Sequence, residues 1–232
     1  MKKILLTATV LTVGLAPLLQ AQRTIRIIYG STTNVRNSNG GNSNTNSLLS
    51  SKSGQLRDSD RNSNTGINWT RPSHFRATYN NRNQTAATQL SRVRTHSGLR
   101  GFRNRRDDTN SDLAQLFCDW TNAGVLGAAN QPGAFSVMRN NTLGVLSVNR
   151  GAGIAHVHET AHNMNANHAH GHCYSGNRRT AMYTAGGCGG SSAYRNVFSS
   201  PTRFFEGRVT GNNSNNNRTR IRNRRNAAAN QR

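Results

Sequence analysis

Six of the eight histidines in this 232-residue chain fall between positions 156 and 172, in the run HVHETAHNMNANHAHGH. Within it, His158-Glu159-Thr160-Ala161-His162 sets two imidazoles four residues apart. Residues with that spacing share one face of a helix, so a helix here lets His158 and His162 hold one zinc ion, with Glu159 beside the metal's open position. The set is chemically sufficient for hydrolysis. Zinc lowers the pKa of its bound water towards about 7 and polarises a carbonyl, while the carboxylate takes the water's proton and passes it to the leaving amine. Reading on from His162, Asn165 is three residues later and His168 six. A helix that ends at Asn165 in a left-handed turn brings His168 back as a third ligand, and Asn is second only to Gly in tolerating that conformation. His156, His170 and His172 have no place in this pattern and are expected to be exposed or to lie behind the ligands. His168 with His172 is an alternative set by spacing, but Gly171 speaks against a helix there.

Acids are scarce around this motif: 30 Lys and Arg face 8 Asp and Glu, a formal charge of +22, and the two glutamates are Glu159 and Glu206. Glu206 is expected to cap or pair locally. Asn is the residue in excess, at 32. No three-residue Gly period or sustained apolar heptad is present, which excludes collagen-like and coiled-coil folds. Residues 1–21 combine Lys2-Lys3 with an apolar run to Leu19 and read as a secretory leader, the competing reading being a membrane anchor. Removing them leaves a charge of about +20, carried by arginines and Lys52. Arginine grips phosphate and carboxylate bidentately, so such a surface attracts polyanions, the competing reading being a solvated basic face with no specific partner. Three cysteines in an exported chain leave one over; a bridge is expected between Cys173 and Cys188, with Cys118 free.

Residues 23–29 alternate and are β-branched, predicting a strand, and residues 74–79 predict a second. Residues 34–64 read as a poor surface helix or a mobile loop. Asn110 or Ser111 caps a predicted helix through Leu113, Leu116, Phe117 and Trp120, with Asp107, Asp108 and Asp112 at its start. Short apolar runs over 124–129 and 134–148 predict two or three strands. The domain is expected to be α/β over residues 22–210, followed at 211–232 by a basic Asn/Arg-rich tail or loosely docked helix.

HETAHNMNANH resembles the metzincin zinc sequence HExxHxxGxxH, with Asn165 in the glycine position. Arg179-Thr180-Ala181-Met182 resembles the segment that forms the family's Met-turn. Residues 196–201 (NVFSSP) with Gly207 and Gly211 resemble the ending of bacterial reprolysin-like (adamalysin-like) members, residues 111–116 (SDLAQL) one of their helices, and residues 24–29 their opening strand. The archaemetzincin branch matches less well, because Cys173 does not directly follow the third histidine. The resemblance implies one catalytic zinc on His158, His162 and His168, Glu159 as general base, and Met182 as an apolar floor. It implies the metzincin (zincin-like) fold: a twisted, mostly parallel sheet with an antiparallel edge strand for an extended substrate, which we expect within residues 134–139. Ala169 stands where the branch usually has Asp, and Ala161 where Gly is common.

The expectation is therefore a secreted, monomeric zinc metalloendopeptidase acting on protein or peptide substrates. Its Arg-rich tail is expected to contact an anionic polymer or cell surface, and no specific nucleic-acid contact is expected. The competing expectation is an exported polyanion-binding protein whose metal site is vestigial or structural.

Overall fold

The computed structural model describes residues 22–231 except 81–82, 122–123, 148–149, 187 and 190–191; the expected leader at 1–21 lies outside them. In chain order the elements are β1 (Arg23–Ser31), α1 (Thr33–Ser38), α2 (Gly41–Ser63), β2 (Ile67–Thr70), β3 (Phe75–Arg76), α3 (Ala86–Thr95), α4 (Arg100–Asp108) and β4 (Leu113–Cys118). There follow β5 (Gly127–Ala129), β6 (Phe135–Arg139), α5 (Gly151–Asn163), β7 (Arg178–Arg179), β8 (Ala193–Tyr194), β9 (Phe204–Phe205), β10 (Arg208–Val209) and α6 (Asn217–Ala228). Among the described residues no helix is long and apolar enough to cross a membrane.

Mixed α/β architecture around a mainly parallel sheet is what the chain adopts. The sheet runs β2-β1-β4-β6-β5, with β3 also on β1, and β5 alone of these runs antiparallel to its neighbour. One face carries α2, α5 and α6, whose Leu49, Leu56, Ile154, Val157 and Ile221 pack with Ile25, Ile27 and Phe117 of the sheet. The other carries α3 and α4, where Val93 and Phe102 pack with Ile28, Leu116 and Val137. Burying each of these aliphatic side chains is worth roughly 1.5–3 kcal/mol.

Several expectations need correcting. Residues 113–118, expected as a helix, form β4, and all six are buried. A short continuous apolar run fits a central parallel strand as well as a buried helix, because such a strand is covered on both faces. Asn110 and Ser111 accordingly cap no helix here and Asp112 does not open one; its Oδ2 accepts from the Arg26 backbone N–H at 2.9 Å. The edge strand is β5, not a strand within 134–139: β6 is hydrogen-bonded on both sides, to β4 and β5. Residues 41–63 form a 23-residue helix whose buried face includes Thr45, Ser53, Ser59 and Ser63 beside Leu49 and Leu56. Small hydroxyl side chains pack there without leaving an apolar period in the sequence. Lys52 adds nothing to the basic surface, being fully buried and donating to the carbonyls of Val145 at 2.8 Å and Gly153 at 3.2 Å. Burial pulls its pKa down to about 8.

At the C-terminus, residues 217–228 form α6, with Ile221 and Ala228 buried in the same cluster as α2 and α5.

Candidate metal centre

The helix α5 is fixed to the sheet by buried polar contacts. Gln115 of β4 donates to Ser136 Oγ at 3.1 Å and to the His156 carbonyl at 3.3 Å. Asn163, at the helix's last position, donates to the carbonyls of Asn130 and Phe135, both at 3.0 Å, tying α5 to the β5–β6 connection. The helix then stops as its sequence predicts. Asn165 adopts φ 68°, its N–H reaches His162 O at 2.9 Å, and the Ala166 N–H reaches Ala161 O at 2.9 Å. This is the paired hydrogen-bond pattern of a left-handed helix end, with Asn where Gly is commonest.

That turn returns His168 to the helix. His168 Nε2 lies 2.8 Å from His158 Nε2 and 3.0 Å from His162 Nε2, and the three residues' ligand atoms lie within 4.8 Å of one another. Each helical imidazole is oriented from behind. His158 Nδ1 donates to the Ala181 carbonyl at 2.8 Å and His162 Nδ1 to the Ala166 carbonyl at 2.9 Å, which leaves both Nε2 atoms as bare acceptors facing the centre. Burial holds the rings neutral, pulling His158 down to about 3 and His162 to about 4, with the neighbouring histidines acting in the same direction. Neutral imidazoles at this spacing fit zinc: tetrahedral coordination sets ligand nitrogens about 3.3 Å apart, a few tenths of an ångström from what is found.

Glu159 is 7% exposed, and burial pushes its carboxyl up to about 8. It faces β5, where a methyl on Gly127 would come within 2.8 Å of Glu159 Oε1, so the edge strand passes directly over the carboxylate. Concavities flank the triad. One, of about 520 Å³, is lined by Ala128, Ala129, Gln131 and Asn167. The other, of about 300 Å³, is walled by Val125, Leu126, Ile154 and Tyr194. Glu159, His158 and His168 line both.

Met182 is fully buried in the cluster beneath α5, next to the Ala181 carbonyl that holds His158. The chain leaving His168 passes so close to it that a side chain at Gly171 would meet the Tyr183 backbone N at 2.6 Å. Cys173 and Cys188 are bridged, and Cys118 is free and buried. Glu206 pairs with Arg178 at 3.1 Å and Arg195 at 3.0 Å. Of the remaining histidines, His170 meets the Ser214 carbonyl at 2.6 Å and His172 is half-buried. His156 is fully buried rather than exposed; its Nε2 donates to the Lys52 carbonyl at 2.8 Å, on the α2 side of the helix.

Two contributors have no sequence signal at all. Asn217, fully buried at the start of α6, accepts from the Asn167 N–H at 2.9 Å and donates to its carbonyl at 3.0 Å. Arg220, one turn on, donates to the Asn165 carbonyl at 2.7 Å and to its side-chain oxygen at 3.3 Å. The last helix thus clamps the turn that presents His168.

No family model matches the chain, and no curated protein matches it. Among solved structures, one described as a chaperone–substrate complex superposes with TM-score 0.71 at 16% identity, over 90% of this chain. This chain spans 36% of that chain's length. An archaemetzincin from Methanopyrus kandleri aligns with TM-score 0.43 at 13% identity, over 71% of this chain and 83% of the other. The first of these likenesses is one of fold.

Proposed function

We propose that the chain is a secreted zinc metalloendopeptidase of the metzincin clan, nearest its reprolysin-like branch. One observation carries the reading: three imidazole nitrogens converge beside a buried glutamate along an open sheet edge. His158, His162 and His168 would hold the metal. Zinc bound there supplies Lewis acidity and an acidified water. The residues of the chain do the rest. Glu159, kept from bulk water by β5, would be ionised by a cation bound at the triad, and it then accepts a proton at a carboxylate oxygen and returns it to the departing amine. On its free side β5 offers backbone groups to an extended peptide, which lies across the triad as an added strand. The cavity walled by Leu126, Ile154 and Tyr194 takes an apolar side chain adjoining the cleaved bond. Met182 closes the floor, and residues 1–21 serve as the leader for export.

Purified protein should contain one zinc and cleave casein in a chelator-sensitive manner. Glu159→Gln should keep the zinc and lower the rate by roughly 10²–10⁴-fold. Undiminished cleavage by that variant contradicts the assignment. The competing reading, a polyanion-binding protein with a vestigial metal site, draws on the arginines that line hollows beside β2 and α6; zinc-free, inactive protein would favour it.

A further inference from the structure

Part of the surplus positive charge lines hollows at the sheet edge opposite β5. Where α2 ends and β2 begins, Arg57, Arg61 and Arg203 line a concavity of about 380 Å³ together with Asn64 and Asn68. Along α6 a second concavity, of about 450 Å³, is lined by Arg222 and Arg225 with Thr219, Asn223 and Asn226. Arg218 joins the two. Its Nε donates to the carbonyls of Ser63 at 2.8 Å and Asn64 at 3.1 Å, and it feels the charges of Arg203 and Arg222. Arg57 and Arg61 are more than 140 residues in sequence from Arg203 and α6, so the cluster belongs to the fold and not to the tail alone.

Capping of α2 explains part of this. Arg203 donates to the carbonyls of Asn62 at 2.5 Å and Arg61 at 3.1 Å, and Arg225 to Thr65 at 3.0 Å, satisfying the carbonyls at the helix's end. Two or three guanidinium groups would suffice for that. Arg57 and Arg61 lie exposed on the same rim and Arg23 bonds Asn226 beside the second concavity, and two acids of α2 offset part of this charge, Asp60 lining the first concavity and acting on Arg225. Asp58 pairs with Arg61 at 3.1 Å, while Asp60 is buried and accepts the Ile67 N–H at 3.0 Å. Burial and then the charges of neighbouring arginines hold both Arg218 and Arg225 below their ordinary pKa. Mutually repelling guanidinium groups already fixed by backbone contacts gain most from a shared counter-anion, because little side-chain entropy remains to be lost.

We propose that these two neighbouring concavities, with Arg218 between them, bind a strand of acidic glycan carrying sulfate or phosphate groups. The shape selects against a bilayer, since the arginines line hollows instead of a flat or convex face. Trp69, the aromatic in the first hollow, is 5% exposed and offers no platform for stacking a nucleic-acid base. The cluster lies at the β2 end of the sheet and the metal centre at its β5 end. The proposal goes beyond the peptidase reading and does not depend on it.

Heparin, duplex DNA and phosphatidylglycerol vesicles should be titrated against the full chain at one fixed salt concentration. The Arg57→Glu/Arg222→Glu double variant would be compared with Arg94→Glu/Arg100→Glu, which changes charge equally on exposed residues of the α3–α4 side. The expected result is that heparin binds tightest, that the first variant loses about tenfold or more in affinity with a shallower salt dependence, and that the second changes less than about twofold. Equal losses in both variants would reduce the effect to net charge and overturn the site. Absence of heparin binding, or tighter binding of DNA or vesicles, would overturn the partner. A native thermal transition in each variant is required for the comparison, and Arg57→Gln/Arg222→Gln gives the same test with a milder change.

Discussion

The two edges of the sheet solve opposite electrostatic problems. At the β5 edge, burial keeps His158 and His162 uncharged and acts on His168 in the same direction, and the Nδ1 contacts of the two helical rings leave their Nε2 atoms bare, so that charge is supplied by whatever binds. At the β2 edge, guanidinium groups cannot shed their protons, and the fold leaves Arg57 and Arg61 in water while tying others to backbone carbonyls. A metal site needs neutral ligands and a counter-ion site needs permanent ones; burial separates them. One element serves both. Asn217 and Arg220 of α6 face the His168 turn, whereas Arg218, Arg222 and Arg225 of the same helix face α2 and β2.

Breaking one edge should spare the other. Gly127→Ala pushes the Glu159 carboxylate out of place, and displacements of about 1 Å at a reacting group cost on the order of 10²-fold in kcat/KM. Casein cleavage should fall accordingly while heparin retention is unchanged; a parallel loss of both would mean that the edges are not independent. Asn217→Ala tests the shared helix. It removes both hydrogen bonds to Asn167, and zinc affinity measured by chelator competition should drop about 10–100-fold. The thermal transition of the metal-free protein should fall by much less, because Ile221 still anchors α6; unchanged zinc affinity would deny α6 a part in the metal centre.

The smallest effect concerns how far the arginines reach. His74 sits 2.7 Å from Ser31 Oγ, and burial, followed by the charges of Arg36, Arg76 and Arg71, pulls it down to about 4. Between the unfolded value near 6.5 and about 4, the unfolded chain binds a proton that the folded chain refuses, so stability declines as pH falls through that window. His74→Gln should make the decline shallower by about 1 kcal/mol once solvent screening of this half-buried ring is allowed for. Identical acid-unfolding curves for the two proteins would contradict it.

What the sequence made legible was mostly local. The helix over His158 and His162, the left-handed turn at Asn165 and the strand over residues 23–29 each follow from a few adjacent residues and backbone preference. The unread parts fail for identifiable reasons. Leu113–Cys118 satisfies a helical and a strand pattern at once, and only the sheet's neighbours decide. Gly127–Ala129 has no β-branched residue, so the edge strand carries no propensity signal. The buried face of α2 is half hydroxyl, which hides its period. Asn217 meets Asn167 across 50 residues, and no short pattern encodes that contact. Burial of His156 likewise follows from the neighbour α2 supplies.

X-ray absorption at the zinc edge, together with a metal count, tests the central claim most directly. The account predicts one zinc per chain with three imidazole nitrogens at about 2.0–2.1 Å and one exchangeable oxygen, and loss of that signature in His168→Ala. A zinc saturated by four protein side chains, or a signature unchanged in His168→Ala, would contradict it.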